Sequence, residues 1–138
     1  MRVTWAYDRG DRRDNHEVDL SDPAALRAVL HEIHQAGEPV AVTIFSQATD
    51  DPDELPPGLQ IGLGHPTHSF AVHIADDGAY LNDPTVVTPT AGLTFDLGGV
   101  PTEYPAEHLQ IRPDTAIQIA TAFLATGGEP PRLPAVAE

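Results

Sequence analysis

The chain lacks cysteine and lysine, and all seven of its basic residues are arginine. Without cysteine there can be no disulfide, no thiolate nucleophile and no cysteine-ligated zinc site, which fits a reducing cytosol. No apolar run approaches the roughly 18 residues of a membrane helix. The first residues also lack the apolar stretch of a secretory signal. These absences predict a cytoplasmic protein with no membrane partner.

Basic charge is also missing from the whole middle of the chain. Twenty-one acidic residues oppose seven basic ones, which gives a formal net charge of −14. From Ala28 to Ile111 there are twelve acids and no base. A field of this sign repels nucleic acid and anionic membranes, and it attracts basic surfaces, including those that hold nucleic acid. Solubility, or a general acidic bias as in salt-adapted proteins, explains the same charge.

Length and composition predict one domain. The chain has 138 residues, of which 41% are hydrophobic, enough to bury a single core. We predict a domain over residues 1–129 and a flexible C-terminal tail over residues 130–138.

Two amphipathic helices are predicted. The first begins at Asp22–Pro23, where a side-chain oxygen can cap the helix and proline suits the first turn, and it ends at Gly37. Its apolar stripe has the spacing i, i+3, i+4, i+7 and consists of Leu26, Val29, Leu30 and Ile33. The second helix begins near Pro113 and ends at Gly127.

Strand-forming residues account for most of the remaining chain. Strands are predicted over residues 3–7, 40–45, 59–63, 69–74, 79–81, 93–97 and 100–104. Residues 8–17 are interpreted as a charged loop or the end of a hairpin, and residues 47–58 as an acidic loop, because prolines and charges there oppose a strand ladder. Val86–Val87 is a candidate short edge strand, and Trp5 is predicted to be core.

Because tight turns join most of these strands, the order predicts an α+β fold. We expect a mainly antiparallel sheet of about six or seven strands, with the two amphipathic helices packed on one face.

Two pairs of histidines share a spacing of three residues. They are His31 with His34, and His65 with His68. A zinc site needs three or four ligands, and no cysteine is present to complete one. We therefore interpret these histidines as loop and surface residues beside acids, and predict no metal site.

Nothing in the sequence predicts a cofactor or a catalytic site. The glycine sites Gly62-Leu-Gly64 and Gly98-Gly99 each lead from one predicted strand to the next, whereas phosphate-binding loops join a strand to a helix. Ser46 and Ser69 lack the flanking glycines of a nucleophile elbow. Turns explain the glycines, and the chain is predicted not to be an enzyme.

The C-terminal half carries a resemblance to a known family. The residues that carry it most clearly are Leu93-Thr-Phe95, Gly98-Gly99, Thr102-Glu-Tyr-Pro105, Leu109, Phe123 and Thr126-Gly127. Further matches are Leu59-Gln-Ile-Gly-Leu-Gly64, Ser69-Phe-Ala-Val72 and Asp77-Gly-Ala-Tyr80. In this order and spacing, the chain resembles immunity protein family one, the deaminase-associated immunity proteins of bacterial polymorphic toxin systems. Members often end with an aromatic residue, which residues 130–138 lack.

The resemblance implies an α+β cytosolic antidote that has no reaction of its own. It also implies that the partner is a toxin delivered between bacteria, often a nucleic-acid or nucleotide deaminase with a basic surface. We expect no direct binding of nucleic acid, and a monomer or weak dimer. The predicted contact residues are Asp50, Asp51, Asp53, Glu54, His65, His68, Asp76, Asp77, Glu103 and Tyr104. Two alternatives remain: a general acidic interaction module or nucleic-acid mimic with an unrelated partner, and an unrecognised small enzyme.

Overall fold

A computed structural model describes residues 1–45, 58–74 and 80–127, and these residues form seven strands, two α-helices and a short 3-10 helix. The elements are β1 (Arg2–Asp8), β2 (Arg13–Asp19), α1 (Pro23–Gln35), β3 (Val40–Phe45), β4 (Gly58–Leu63), β5 (Ala71–Ile74), β6 (Leu93–Leu97), β7 (Val100–Tyr104), the 3-10 helix (Ala106–His108) and α2 (Pro113–Ala125). The predicted α+β class is confirmed. None of the helices in the described ranges is long and apolar enough to cross a membrane.

The sheet is antiparallel in the order β2-β1-β3-β4-β5. The β6–β7 hairpin joins it through a single parallel pair, Val40 with Asp96. Strand β1 pairs with β3 over Thr43–Phe45, and β6 pairs with β3 at Val40. Both strands therefore lie along the same edge of β3, β6 at its start and β1 at its end. This arrangement leaves β2 as an edge strand.

Both helices pack on the same face of the sheet. Strand side chains alternate between faces, and those of Val40, Val42 and Ile44 enter one buried cluster with residues of both helices. The Asp22 carboxylate accepts a hydrogen bond from the Ala24 amide at 3.2 Å and caps α1. The prediction of two helices on one face is therefore confirmed.

Trp5 is partly exposed at the border of this cluster, where its ring stacks on that of His16 with 5.1 Å between the ring centroids.

The opposite face of the sheet is only partly covered. A second buried cluster lies there and consists of Ala41, Phe70, Val72, Phe95, Tyr104 and Leu109. This cluster lies over β4, β5 and the start of β3, because the hairpin joins the sheet at Val40. Over β1 and β2 the hairpin covers this face only near its tip, where the Asp8 amide donates to the Asp96 carboxylate and Gly99 lies against the Arg13 side chain. Farther along, Thr4 is only partly buried and Glu17 is exposed.

The structure differs from three local predictions. Residues 8–17 were interpreted as a charged loop or the end of a hairpin, and residues 13–19 form β2, the second strand of a hairpin, in which all seven residues pair with β1. Apart from Val18 the side chains of β2 are polar or charged, so the sequence shows no apolar alternation. The Val86 amide bonds the Asp83 carbonyl in a turn, so Val86–Val87 is not a strand. Strand β5 begins at Ala71, because Ser69 pairs with Ile111 instead.

Some predictions fall wholly or partly outside the described residues. They concern most of the acidic loop, the turn at Asp77–Gly78 and the tail after Gly127. Of the strand predicted at 79–81, Tyr80 forms an isolated bridge to Val72.

Candidate functional site

Five strand termini meet at one end of the sheet, which we call the Phe45 end. Strand pairing places its residues in neighbouring rows: Asp19, Arg2, Phe45, Gly58 and Ile74. The chain leaves the described structure after Phe45 and Ile74, and it re-enters at Gly58 and at Tyr80, which pairs back onto β5. Both undescribed internal segments are therefore attached at this end.

The two attached segments contain six acids and no base, at positions 50, 51, 53, 54, 76 and 77. The described residues beside them are nearly balanced in charge. Arg2 lies 2.7 Å from the Glu17 carboxylate and 3.7 Å from that of Asp19. The N-terminal ammonium donates a 2.6 Å hydrogen bond to the Leu20 carbonyl. The two positive and two negative groups described here therefore balance one another.

The opposite, Val40 end of the sheet carries mixed charge. Arg9, in the turn between β1 and β2, donates two hydrogen bonds to the Glu38 carboxylate at 2.7 and 3.1 Å. This contact holds the pKa of Glu38 below its usual value. The pKa of Asp14 is also lowered, first by its hydrogen bond with His16 and then by Arg9. Arg9 therefore neutralises two carboxylates at this end, those of Glu38 and Asp14.

The turn that links β4 to β5 is organised by histidine rings. The His65 Nδ1 atom accepts hydrogen bonds from the backbone amides of Thr67 at 3.3 Å and His68 at 3.1 Å. The His34 Nδ1 atom accepts another from the Gly64 amide at 3.0 Å. His68 donates from Nε2 to the Val87 carbonyl at 2.7 Å. Each accepting nitrogen must be unprotonated, so these rings serve the turn as well as the surface.

Beside this turn lies a cleft of about 360 Å³, lined partly by His34, Thr67, His68, Val87 and Arg112. The Val87 side chain is 81% exposed at its rim. Within the described ranges, no group of three or more His, Asp or Glu side chains could hold a metal ion.

The His65 ring predicts a pH effect on stability. Burial, aided by the charges of His68 and His34, lowers the pKa of His65. As the pH falls below about 6.5, His65 becomes protonated in the unfolded chain before it does in the folded protein. The stability that His65 contributes above that pH is therefore lost as the pH falls further. In His65→Asn the amide oxygen can accept the same two hydrogen bonds without titrating. Urea midpoints at pH 7.5 and 5.5 should differ less for the variant than for the parent protein, and equal differences would contradict this role.

Tyr104 lies in the core, although the sequence placed it among the contact residues. Its side chain is 5% exposed, and its hydroxyl donates to Gln60 Oε1 at 3.1 Å. Its ring stacks on Phe70 at 4.1 Å between centroids, and burial raises the pKa of Tyr104 to about 12. Strand alternation leaves the neighbouring Glu103 exposed. Tyr104 therefore offers almost no surface to a partner.

The structure describes four of the ten predicted contact residues, namely His65, His68, Glu103 and Tyr104. His65 and His68 follow β4 at the Val40 end, and Glu103 lies on β7. Asp50, Asp51, Asp53, Glu54, Asp76 and Asp77 lie outside the described residues, in the two segments attached at the Phe45 end.

A groove of about 460 Å³ lies on the open face of the sheet and was not predicted. Part of its lining comes from β1, β2 and β3, and part from the tip of the β6–β7 hairpin; the lining includes Thr4, Ala6, Glu17, Ala41, Thr43 and Leu97. Local sequence patterns carry no signal for it, because it depends on the pairing of β2 with β1 and on the long-range pair that positions the β6–β7 hairpin.

Comparison with known proteins identifies the family. The family model described as Immunity protein Imm1 matches residues 14–137, nearly the whole chain. No curated protein and no solved structure matches the chain. The chain belongs to the Imm1 family of immunity proteins.

Proposed function

We propose that this chain neutralises a cognate polymorphic toxin by binding it, and that the toxin is a nucleic-acid cytosine deaminase domain. The acidic Phe45 end is the surface that meets it. Family membership supports the role of an immunity protein. The observation that supports the proposed surface is that the described residues flanking the two acid-rich segments, Phe45, Gly58 and Ile74, lie in neighbouring rows at the same end of the sheet.

The charge of this end suits such a partner. A zinc deaminase must take a base into a pocket and hold the flanking strand, and groups that hold nucleic acid are largely basic. Carboxylates that oppose a basic surface steer diffusional encounter and speed association. Short-range contacts then set the rate of release. Fast capture and slow release both limit damage to the cell.

Co-purification with the product of the adjacent gene tests the function. The toxin domain would be assayed for cytosine deamination of single-stranded DNA and RNA, with and without an equimolar amount of this chain. We expect a stable complex and loss of deamination. A toxin that stays fully active in excess chain would refute the role, and inhibition of a different toxin chemistry would refute the deaminase assignment alone.

Neutralising the 50–54 segment tests the surface. In the variant D50N/D51N/D53N/E54Q, we expect the association rate at low salt to fall about ten- to a hundredfold, because electrostatic steering is lost. The rate should also depend less on salt. Stopped-flow binding at several salt concentrations measures both quantities.

The matched control removes four acids elsewhere, at Asp11, Glu32, Glu107 and Asp114. All four are exposed and have no ion pair within the described residues. Because net charge changes equally, only the position of the charge differs. An association rate at low salt equal to that of the parent protein, or equal effects of the two variants, would rule out steering by this segment.

A further inference from the structure

The groove lies on the part of the sheet face that the β6–β7 hairpin leaves uncovered. By strand alternation, Thr4 and Ala6 of β1 share a face with Ala41 and Thr43 of β3, opposite the helices. These short side chains form the floor of the groove, and Leu97 at the hairpin tip forms part of its lining. The volume of about 460 Å³ lies within the range of protein sites that accept small ligands or side chains.

The charge of the groove selects one class of occupant. Of the described residues that line it, Glu17 alone carries a formal charge at neutral pH. Its side chain is 54% exposed, and the chain's own Arg2 already lies on it at 2.7 Å. Arg2 precedes Thr4 by two residues, so it extends over the same face. This contact shows that a guanidinium can reach Glu17 from the Phe45 end of the sheet.

We propose that the groove receives an arginine side chain from an extended segment of the toxin, with the guanidinium on Glu17 and the apolar stem along Thr43 and Leu97. This inference rests on the proposed function. Arginine fits better than lysine because its planar fork can share a carboxylate through two hydrogen bonds and its stem packs on apolar surface.

The groove is continuous with the proposed toxin-facing surface. Glu17 lies two residues from Asp19, and Thr43 lies two residues from Phe45, both of which belong to the Phe45 end. A basic partner steered to that end therefore meets the groove without crossing the sheet. A second copy of this chain is a poorer occupant, because each copy carries a formal charge of −14 and the two repel.

Two charge changes with opposite expected effects test the site. Glu17→Gln should weaken toxin binding about tenfold by removing a charge-assisted contact. Arg2→Gln should tighten it, because the internal competitor is lost. The matched controls are Glu32→Gln and Arg27→Gln on α1, which make the same changes in net charge at exposed positions with no ion pair in the described part of the chain.

Affinities of the purified toxin domain for each variant would be measured by calorimetry. We expect Glu17→Gln to weaken toxin binding more than Glu32→Gln does, and Arg2→Gln to bind the toxin more tightly than Arg27→Gln. In the double variant Arg2→Gln/Glu17→Gln, the gain in affinity from Arg2→Gln should vanish. Equal effects within either pair would overturn the groove assignment while the proposed function stands. Failure of the parent protein to bind or inhibit the toxin would instead refute the proposed function.

A second measurement needs no toxin. The ¹⁵N-labelled chain would be titrated with N-acetyl-arginine amide and, separately, with N-acetyl-lysine amide. We expect the largest amide shifts at Thr4, Thr43 and Gly98, larger for arginine and absent in Glu17→Gln. Amide shifts located elsewhere would overturn the proposal. Self-association of the free chain would also overturn it if Glu17→Gln abolished that association, because the occupant of the groove would then be a second copy of the chain.

Discussion

Replacing Gly64 with alanine is expected to lower the free energy of unfolding by about 3 kcal/mol or more. Gly64 has a φ of +96°, which side chains with a Cβ atom rarely adopt. An added Cβ would also overlap the backbone carbonyl of Glu38, which belongs to the segment entering β3. Neither obstacle is the flexible end of a side chain, so the backbone itself would have to move. Urea unfolding at pH 7.5 measures the loss.

Gly37 provides the matched control, because it also has a positive φ, +73°, but an added Cβ there meets nothing within 4 Å. Gly37→Ala should therefore show only the conformational cost, about 1 kcal/mol. The difference between the two variants isolates the steric contact with Glu38. If both variants lose the same stability, that contact does not constrain the turn.

Replacing Phe70 with alanine is expected to cost about 3–5 kcal/mol of unfolding free energy. Phe70 is fully buried and lies at the centre of the second cluster. Its ring stacks on Tyr104 at 4.1 Å and meets Phe95 and Tyr80 edge-on at 5.3 and 6.2 Å between centroids. Removing it leaves a cavity bordered by three rings and loses their geometry-dependent attraction. Against a typical total of about 5–15 kcal/mol, such a loss is large.

Phe70→Leu is the comparison, since leucine keeps most of the apolar volume but not the ring contacts. We expect it to lose clearly less stability than Phe70→Ala. Chemical denaturation of both variants, with near-ultraviolet circular dichroism for the tyrosines, measures the effect. Equal losses for leucine and alanine would show that ring geometry, rather than filled volume, dominates here.

The second cluster also shapes the groove. Phe95 anchors β6 in this cluster, and β6 carries Leu97 to the edge of the open sheet face. A loosened cluster would therefore move part of the groove lining. We expect destabilised Phe70 variants that still fold to bind the toxin more weakly, whereas Gly37→Ala should leave binding unchanged.

Local patterns in the sequence predicted the helices well, for physical reasons. In α1, the Asp22 cap, the apolar stripe and Gly37 all lie within one short stretch and all favour the same helix. The hairpin of β6 and β7 was equally readable, because Gly98–Gly99 separates two strand-forming runs. Strand β2 was predicted only as a charged loop or the end of a hairpin, since its one apolar residue, Val18, gives no alternation, and pairing with β1 sets its bounds.

The candidate site depended far more on long-range contacts. Tyr104 looked like a surface anchor beside Glu103, but packing against Phe70, from another part of the chain, buries it. His65 in the β4–β5 turn and His34 on α1 were interpreted as loop and surface residues beside acids, yet both rings accept hydrogen bonds from backbone amides of the turn. A side chain can face a partner only if other residues of the chain do not cover it. The residues that cover Tyr104 and the histidines lie far away in the sequence.

By itself, the sequence determined the family resemblance, the fold class and the excess of negative charge, because these depend on residue types and their local spacing. Only the tertiary structure decided where that charge is attached. Strand register brings the termini of β1 to β5 to one end of the sheet, and the single pairing of Val40 with Asp96 leaves the face beside Glu17 open. Both follow from contacts between distant segments, for which a local pattern carries no signal.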